Sequence, residues 1–224
     1  MNNPISEIEE ATGEELEERE SIDSLSTDPQ SPERGYAVDN EGYVVELQLV
    51  DISIDDLTVL ENCLNLQRLN LLRCGISNVE PLENLTNLTE LGLEGNEIVD
   101  VRPLQNLTVL TELGLRGNEI ADVGPLQNLT NLTVLHLGSN EISDVSPLQN
   151  LTNLTELRLW RNQVSDIGPL QNLTSLRTLN LGGNEITDLS PLENLTSLTT
   201  LQAHHNQIAD VGPLQNLTNL TVLH

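Results

Sequence analysis

The chain has 224 residues and carries 35 acidic against 9 basic side chains, a net charge of -26 at pH 7. This balance excludes DNA, RNA and anionic membrane surfaces as favourable partners, because all of them repel an acidic protein. No stretch approaches the roughly 18 apolar residues of a membrane span, and the first residues do not follow a secretory-signal pattern, so we expect a cytoplasmic protein.

Residues 1–35 form an acidic segment with too few apolar side chains to fold alone, and we expect a disordered N-terminal tail. The alternative is a short acidic helix that begins at a capping box, "TGEE" at residues 12–15. After the tail, "YAVDNEGYVVELQL" predicts a hairpin with its turn at residues 39–42. Residues 36–38 would pair with the first strand of the next region, and the hairpin, residues 36–49, would cap that region's N-terminal edge.

A unit of 22 residues repeats eight times without an insertion over residues 41–216, and residues 217–224 begin a ninth copy. Six positions are apolar in nearly every copy, and the third copy shows them as Leu88, Leu91, Leu93, Ile98, Val101 and Leu104. One unit buries too little apolar surface to offset the entropy of ordering its backbone, so the units must stack. With one Trp, two Tyr and no Phe, the core must consist of aliphatic side chains.

Two polar features of the unit predict its backbone. The Leu-x-Leu alternation at positions 7 to 9 predicts a short strand, and an Asn follows it at position 12. This Asn can satisfy turn backbone groups of its own copy and the neighbouring copy, which predicts a buried ladder made of Asn96, Asn118, Asn140, Asn162, Asn184 and Asn206. Cys74 takes this place in the second copy. Pro at position 19, from Pro81 to Pro213, predicts a short 3₁₀ turn and forbids a long helix.

This pattern resembles the leucine-rich repeat, L-x-x-L-x-L-x-x-N/C-x-L, in its short 22-residue class, which occurs in bacterial internalins and in a eukaryotic phosphatase regulatory subunit. The resemblance covers residues 41–224. It implies an α/β solenoid, a right-handed leucine-rich-repeat superhelix with a parallel β-sheet on its concave face and short 3₁₀ or irregular turns on its convex face. It also implies a protein-interaction module that binds a partner through exposed strand positions of the concave sheet.

The concave positions of the sixth copy contain the one Trp of the chain. Trp160 falls between Gly138 and Gly182 of the adjacent strands, so its ring has open floor on both sides. An exposed Trp beside Arg is typical of an interface hot spot, and a basic group in an acidic molecule favours an acidic or phosphorylated protein partner. The predicted partner-binding residues are Trp160, Arg158, Arg161, His136, Arg116 and His204. Alternatively, the ring lies flat on the glycines and the cations balance nearby glutamates.

The sequence favours a non-enzymatic protein without cofactor or metal. No Ser, His and Asp converge in the strand columns, so no nucleophile stands beside a base. The Asp column at position 16, from Asp100 to Asp210, lacks the loop spacing of a calcium site and is better explained as turn caps. The adjacent His204 and His205 lack a third ligand for zinc.

A second functional hypothesis concerns the C-terminal edge of the solenoid. Leu217, Leu220 and Leu223 have no following repeat to cover them. The sequence is therefore either truncated there, or this edge meets a partner or a second copy, which would make the protein a structural or self-associating element.

Overall fold

The computed structural model describes residues 4–19, 34–54 and 56–224. Eleven strands of these residues form one sheet and lie side by side in chain order. The strands are β1 Glu17–Arg19, β2 Gly35–Val38, β3 Val44–Val50, β4 Arg68–Leu72, β5 Glu90–Gly92, β6 Glu112–Gly114, β7 Val134–His136, β8 Glu156–Arg158, β9 Thr178–Asn180, β10 Thr200–Gln202 and β11 Val222–Leu223.

Short 3₁₀ turns connect the strands of successive repeats. They span Leu57–Leu60, Glu80–Leu82, Arg102–Asn106, Gly124–Asn128, Ser146–Asn150, Gly168–Asn172, Ser190–Leu192 and Gly212–Asn216. From β3 to β10 each strand pairs in parallel with the next, and each pair joins equivalent repeat positions, such as Leu135 with Leu157. The predicted α/β solenoid, with a parallel sheet and thin 3₁₀ turns, is therefore confirmed. No helix of the described residues has the length and apolar character to cross a membrane.

The core is a set of aliphatic columns that run along the solenoid. In β8, Leu157 has no exposed surface, and neither has Leu159, which follows the strand, while Arg158 between them faces outward and is half-buried. The two Leu side chains of the Leu-x-Leu pattern are buried in the same way from β3 to β9, so they point into the core and the residue between them lies on the concave face. The concave face is thereby free to differ between repeats.

The Asn ladder ties each repeat to the one before it. Asn162 accepts a hydrogen bond at Oδ1 from the amide of Ile142, at 3.0 Å, and its Nδ2 donates to the carbonyls of Leu137 and Leu159, at 2.9 and 3.0 Å. The acceptor and donor atoms of this one buried amide satisfy backbone groups of two repeats. Sequence reasoning therefore placed the polar column of this core correctly.

The Asp column at position 16 caps the 3₁₀ turns. Asp122 Oδ1 accepts from the amide of Gly124 at 2.7 Å, and Asp144 Oδ1 accepts from that of Ser146 at 2.8 Å. The hydrogen bond to Ser146, together with one from its hydroxyl, holds the pKa of Asp144 below its ordinary value. Turn capping accounts for the column, and no group of His, Cys, Asp and Glu among the described residues has the arrangement of a metal site.

The N-terminal segment departs from the prediction of a disordered tail, which is wrong for residues 4–19. Helix α1, Pro4–Thr12, buries Ile5 and Ile8 against the first 3₁₀ turn, Leu57–Leu60. A segment that cannot fold alone can still fold when the first repeat offers apolar cover. Residues 20–33 of the predicted tail lie outside the described residues.

The "TGEE" stretch ends helix α1, so the prediction that it starts a helix is wrong. Gly13 has φ +71° and its amide donates to the carbonyl of Glu9 at 2.8 Å, which is a glycine closure of a helix C-terminus. The hydroxyl of Thr12 donates back to the carbonyl of Ile8 at 2.8 Å. The short polar side chain therefore closes the last turn instead of opening a new one.

A hairpin joins this segment to the repeats. β2 pairs antiparallel with β3, and the side chain of Asp39 accepts from the amides of Glu41 and Tyr43, at 2.9 and 3.0 Å, to hold the turn. β1 then pairs in parallel with the other edge of β2. The hairpin is thus not the outermost element of the sheet at this end, because β1 lies beyond it.

Candidate interaction site

Trp160 follows β8 on the concave face, and its half-buried ring lies over Gly138 of the preceding repeat. A Cβ atom at Gly138 would overlap Nε1 of the Trp160 ring. The glycine therefore provides the seat of the ring. Sequence reasoning gave the ring open floor on both sides, and the structure places it on the Gly138 side.

Two arginines contact the ring. The guanidinium carbon of Arg116 lies 5.1 Å from the ring centroid of Trp160, and that of Arg161 lies 5.5 Å from it, both within cation–π range. Both arginines are exposed, and neither forms a salt bridge with any residue that the structure describes. Their charges are available to a partner.

Two other predicted binding residues, His136 and Arg158, are bound to Glu156. His136 Nε2 lies 2.8 Å from Oε1 of Glu156, and Arg158 Nε lies 2.7 Å from the same oxygen. Burial lowers the pKa of His136, against the opposing effect of its hydrogen bond to Glu156. Glu156 thus binds His136 and Arg158, whereas Arg116 and Arg161 form no salt bridge with a described residue.

The Trp160 ring separates two pockets of the concave face. The first pocket, of about 470 Å³, lies toward the N-terminus and is lined by Arg73, Glu94, Arg116, His136, Arg158 and Trp160, among others. The second pocket, of about 420 Å³, lies toward the C-terminus and is lined by Trp160, Arg161, Asn180, His204, His205 and the two glycines at 182 and 183. The six predicted binding residues are therefore divided between two neighbouring pockets.

Three ionisable residues that line these pockets were absent from the predicted set. Glu94 is 7% exposed, and burial raises the pKa of its carboxyl although Arg116 opposes the shift. Arg73 forms a bidentate salt bridge with Asp51, at 2.5 and 2.7 Å. His205 lines the second pocket beside His204. All three lie at concave positions 10 or 11 of their repeats. Trp160 and Arg161 lie in the same two columns, so the repeat position was the signal in the sequence.

The C-terminal leucines differ in exposure. Leu217 is buried, Leu220 is half-buried and Leu223, in β11, is 54% exposed. β11 pairs with β10 through one edge. Self-association through this edge stays a prediction.

The repeated strand, Asn ladder and 3₁₀ turn define a leucine-rich repeat protein, and comparisons with known proteins agree. The family described as "Leucine Rich repeats (2 copies)" matches residues 108–150 and 152–194. The structure is similar to that of internalin C2 from Listeria monocytogenes, with 40% identity over 81% of this chain and 80% of that chain and a TM-score of 0.78. The chain belongs to the internalin-like leucine-rich repeat family.

Two further solved structures are similar over a smaller part of their length. The internalin InlF from Listeria monocytogenes shares 36% identity over 80% of this chain, with a TM-score of 0.68. A leucine-rich repeat protein from Leptospira interrogans shares 25% identity over 80% of this chain, with a TM-score of 0.69. The chain spans 60% of the first and 53% of the second. No curated protein matches the sequence.

Leucine-rich repeat folds of this kind are generally protein-interaction modules and typically not enzymes. The location of the protein in the cytoplasm stays a prediction.

Proposed function

We propose that the protein is a non-catalytic interaction module that binds a protein partner on the concave face, with Trp160 as its anchor. The observation that carries the proposal is the half-buried ring seated on Gly138, with the guanidinium groups of Arg116 and Arg161 against it. A large aromatic with adjacent arginines is the combination most enriched at the energetic centre of protein interfaces.

Charge supports an acidic partner. The protein has a net charge of -26, yet Arg116, Arg158 and Arg161 meet around one side chain of the concave face. A local positive potential in an acidic molecule steers an acidic or phosphorylated partner to this point and repels it elsewhere. His136 and Arg158 then serve as a fixed, glutamate-bound wall, whereas Arg116 and Arg161, which form no salt bridge with a described residue, supply charge to the partner.

The test is an affinity capture with wild-type protein, Trp160→Ala and the control Val99→Ala, followed by titration of the purified captured partner. Val99 is 58% exposed and is not a residue of either pocket, so the control removes an exposed apolar side chain outside the site. Loss of a central Trp typically weakens binding by about 2 kcal/mol or more, about 30-fold in Kd. Equal affinity of Trp160→Ala and wild type would reject the proposal.

Two further measurements on the same samples distinguish this proposal from a self-associating solenoid. Binding through Arg116 and Arg161 should weaken as salt concentration rises, because exposed charges are screened. A light-scattering mass that rises above the monomer with concentration and does not depend on Trp160 would instead favour the self-associating solenoid.

A further inference from the structure

Position 11 of the repeat has a left-handed backbone. Gly95, Gly117 and Gly183 hold it with φ between 67° and 69°. Other repeats place a side chain there, and these residues are Asp51, Arg73, Ser139, Arg161 and His205, with φ from 52° to 56°. Glycine suits this conformation because it has no Cβ, so each of these residues is retained at a conformational cost.

The cost is explained at one end of the solenoid and not at the other. Asp51 and Arg73 form a bidentate salt bridge with each other across neighbouring repeats. Arg161 and His205 form no salt bridge with any described residue; the guanidinium of Arg161 lies over the Trp160 ring and the imidazole of His205 meets that of His204. A strained position occupied by a residue that folding does not need indicates a role in binding.

Both residues line the second pocket, which has a glycine floor. His204 lies over Gly182, where a Cβ would stand 2.6 Å from its Cε1, and the stem of Arg161 lies 3.4 Å from the position of a Cβ on Gly183. The rings of His204 and His205 meet edge to face with centroids 5.2 Å apart. The pocket thus lies over a glycine floor that His204 and the Arg161 stem partly cover, and it is walled by a guanidinium, two imidazoles and the indole.

The second pocket differs from the first in charge. None of its described lining residues carries a carboxylate, although the protein has 35 acidic residues. In the first pocket Glu94 is a lining residue, Arg73 is bound to Asp51, and Arg158 and His136 are bound to Glu156. The acid-free second pocket therefore suits an anion better than the first.

We propose that the second pocket binds a phosphoryl group carried by the protein partner, through Arg161, His204 and His205. The guanidinium presents paired N–H donors that match phosphate oxygens, and each imidazole adds a further N–H donor. A phosphorylated side chain carries about -1.5 to -2 charges and three acceptor oxygens, which can engage all three groups at once. A carboxylate would be satisfied by Arg161 alone and would leave both imidazoles unused.

The Asn180 side chain at the wall of this pocket is already held in place. Its Nδ2 donates to Oε1 of Gln202 at 2.6 Å, and its Oδ1 accepts from the amide of Gly182 at 3.1 Å. The pocket wall is thereby rigid before a ligand enters. The proposal rests on the concave-face function above and adds the chemistry of the group that the partner presents.

Trp160 is the only Trp in the chain and lines both pockets, so its fluorescence reports binding at either one, and the variants of the second pocket assign the signal to it. The probes are three pentapeptides, Gly-Gly-X-Gly-Gly, in which X is phosphoserine, glutamate or serine, titrated at constant ionic strength. We expect saturable fluorescence changes with the phosphoserine peptide at millimolar concentration, about tenfold or more tighter than with either other peptide. Inorganic phosphate should compete.

The variants are Arg161→Gly, the double variant His204→Gln and His205→Gly, and the control Arg177→Gln, which removes an exposed cation that lines neither pocket. The first two should lose the preference for phosphoserine, and the control should keep it. Equal binding of the serine peptide, no saturable signal, or an equal loss in Arg177→Gln would overturn the assignment. If the phosphoserine preference fails but partner capture still requires Trp160, the phosphoryl site is refuted and the proposed function stands. If partner capture requires neither Trp160 nor Arg161, both the phosphoryl site and the proposed function are refuted.

Discussion

Replacing Arg161 by glycine separates the cost of its backbone conformation from the use of its charge. An L-residue at φ 52° costs roughly 1–2 kcal/mol more than glycine in the left-handed region. Glycine, in turn, costs about 0.4–1 kcal/mol through the larger entropy of the unfolded chain. Loss of the cation–π contact between the exposed Arg161 and Trp160 costs about 0.5–1 kcal/mol more. These contributions nearly cancel, so Arg161→Gly should keep the wild-type free energy of unfolding within about 1 kcal/mol.

Arg161→Ala provides the matched comparison, because it removes the same guanidinium but keeps the Cβ in the left-handed conformation. It should be less stable than Arg161→Gly by about 1 kcal/mol, the conformational cost minus the glycine entropy. Gly183→Ala introduces a Cβ at the same position of the next repeat, φ 69°, and should be destabilised by a similar amount. Urea unfolding followed by circular dichroism measures all three, since the fluorescence of Trp160 itself responds to Arg161.

Both substitutions of Arg161 should weaken partner binding to the same extent, because both remove the charge. Equal free energies of unfolding for Arg161→Ala and Arg161→Gly would show that position 11 has no conformational cost. The inference that Arg161 is retained there for binding would then lose its basis.

Two further predictions concern the interior and the first pocket. Asn118→Ala removes the partner of the Ile98 amide and of the Leu93 and Leu115 carbonyls, and should lower the free energy of unfolding in urea by about 3 kcal/mol; a loss below about 1 kcal/mol would contradict the ladder's role. Glu94→Gln should stabilise the protein at pH 7, because burial raises the pKa of Glu94 and its ionised form is disfavoured in the fold. This gain should vanish as the pH falls below the ordinary value of 4.5, where the wild-type carboxyl is protonated in both states, and a gain that persists there would refute its electrostatic origin.

The fold was predictable because its determinants recur. The Leu-x-Leu spacing recurs in seven copies, the Asn of the ladder at position 12 in six and the Pro of the turn at position 19 in seven, so an irregular copy is interpreted from its regular neighbours. The N-terminal segment has no such repetition. Ile5 and Ile8 are too few to predict a folded helix, and only the cover supplied by Leu57–Leu60 makes their burial favourable.

The candidate site was predictable only to the extent that the repeat register aligns equivalent positions in columns along the sheet. Repeat spacing placed Trp160 beside Gly138 and Arg161 in the adjacent column. It did not show that Glu156 binds both His136 and Arg158, because that depends on which way each side chain turns on a surface where several partners are in reach. Nor did it show that Arg161 is left-handed, although Gly95, Gly117 and Gly183 in the same column were the signal.

Alternation of glycine with large side chains at position 10 shapes the concave face. The column reads Arg116, Gly138, Trp160, Gly182 and His204 from β6 to β10. Trp160 leans over Gly138 and His204 over Gly182, so each glycine seats the side chain of the following repeat. With strands about 4.8 Å apart, Trp160 and His204 stand roughly 10 Å from each other, and the space between them is the second pocket. Because positions 7, 9 and 12 maintain the core in every repeat, such a pocket can be formed or removed by single concave substitutions that leave the solenoid intact.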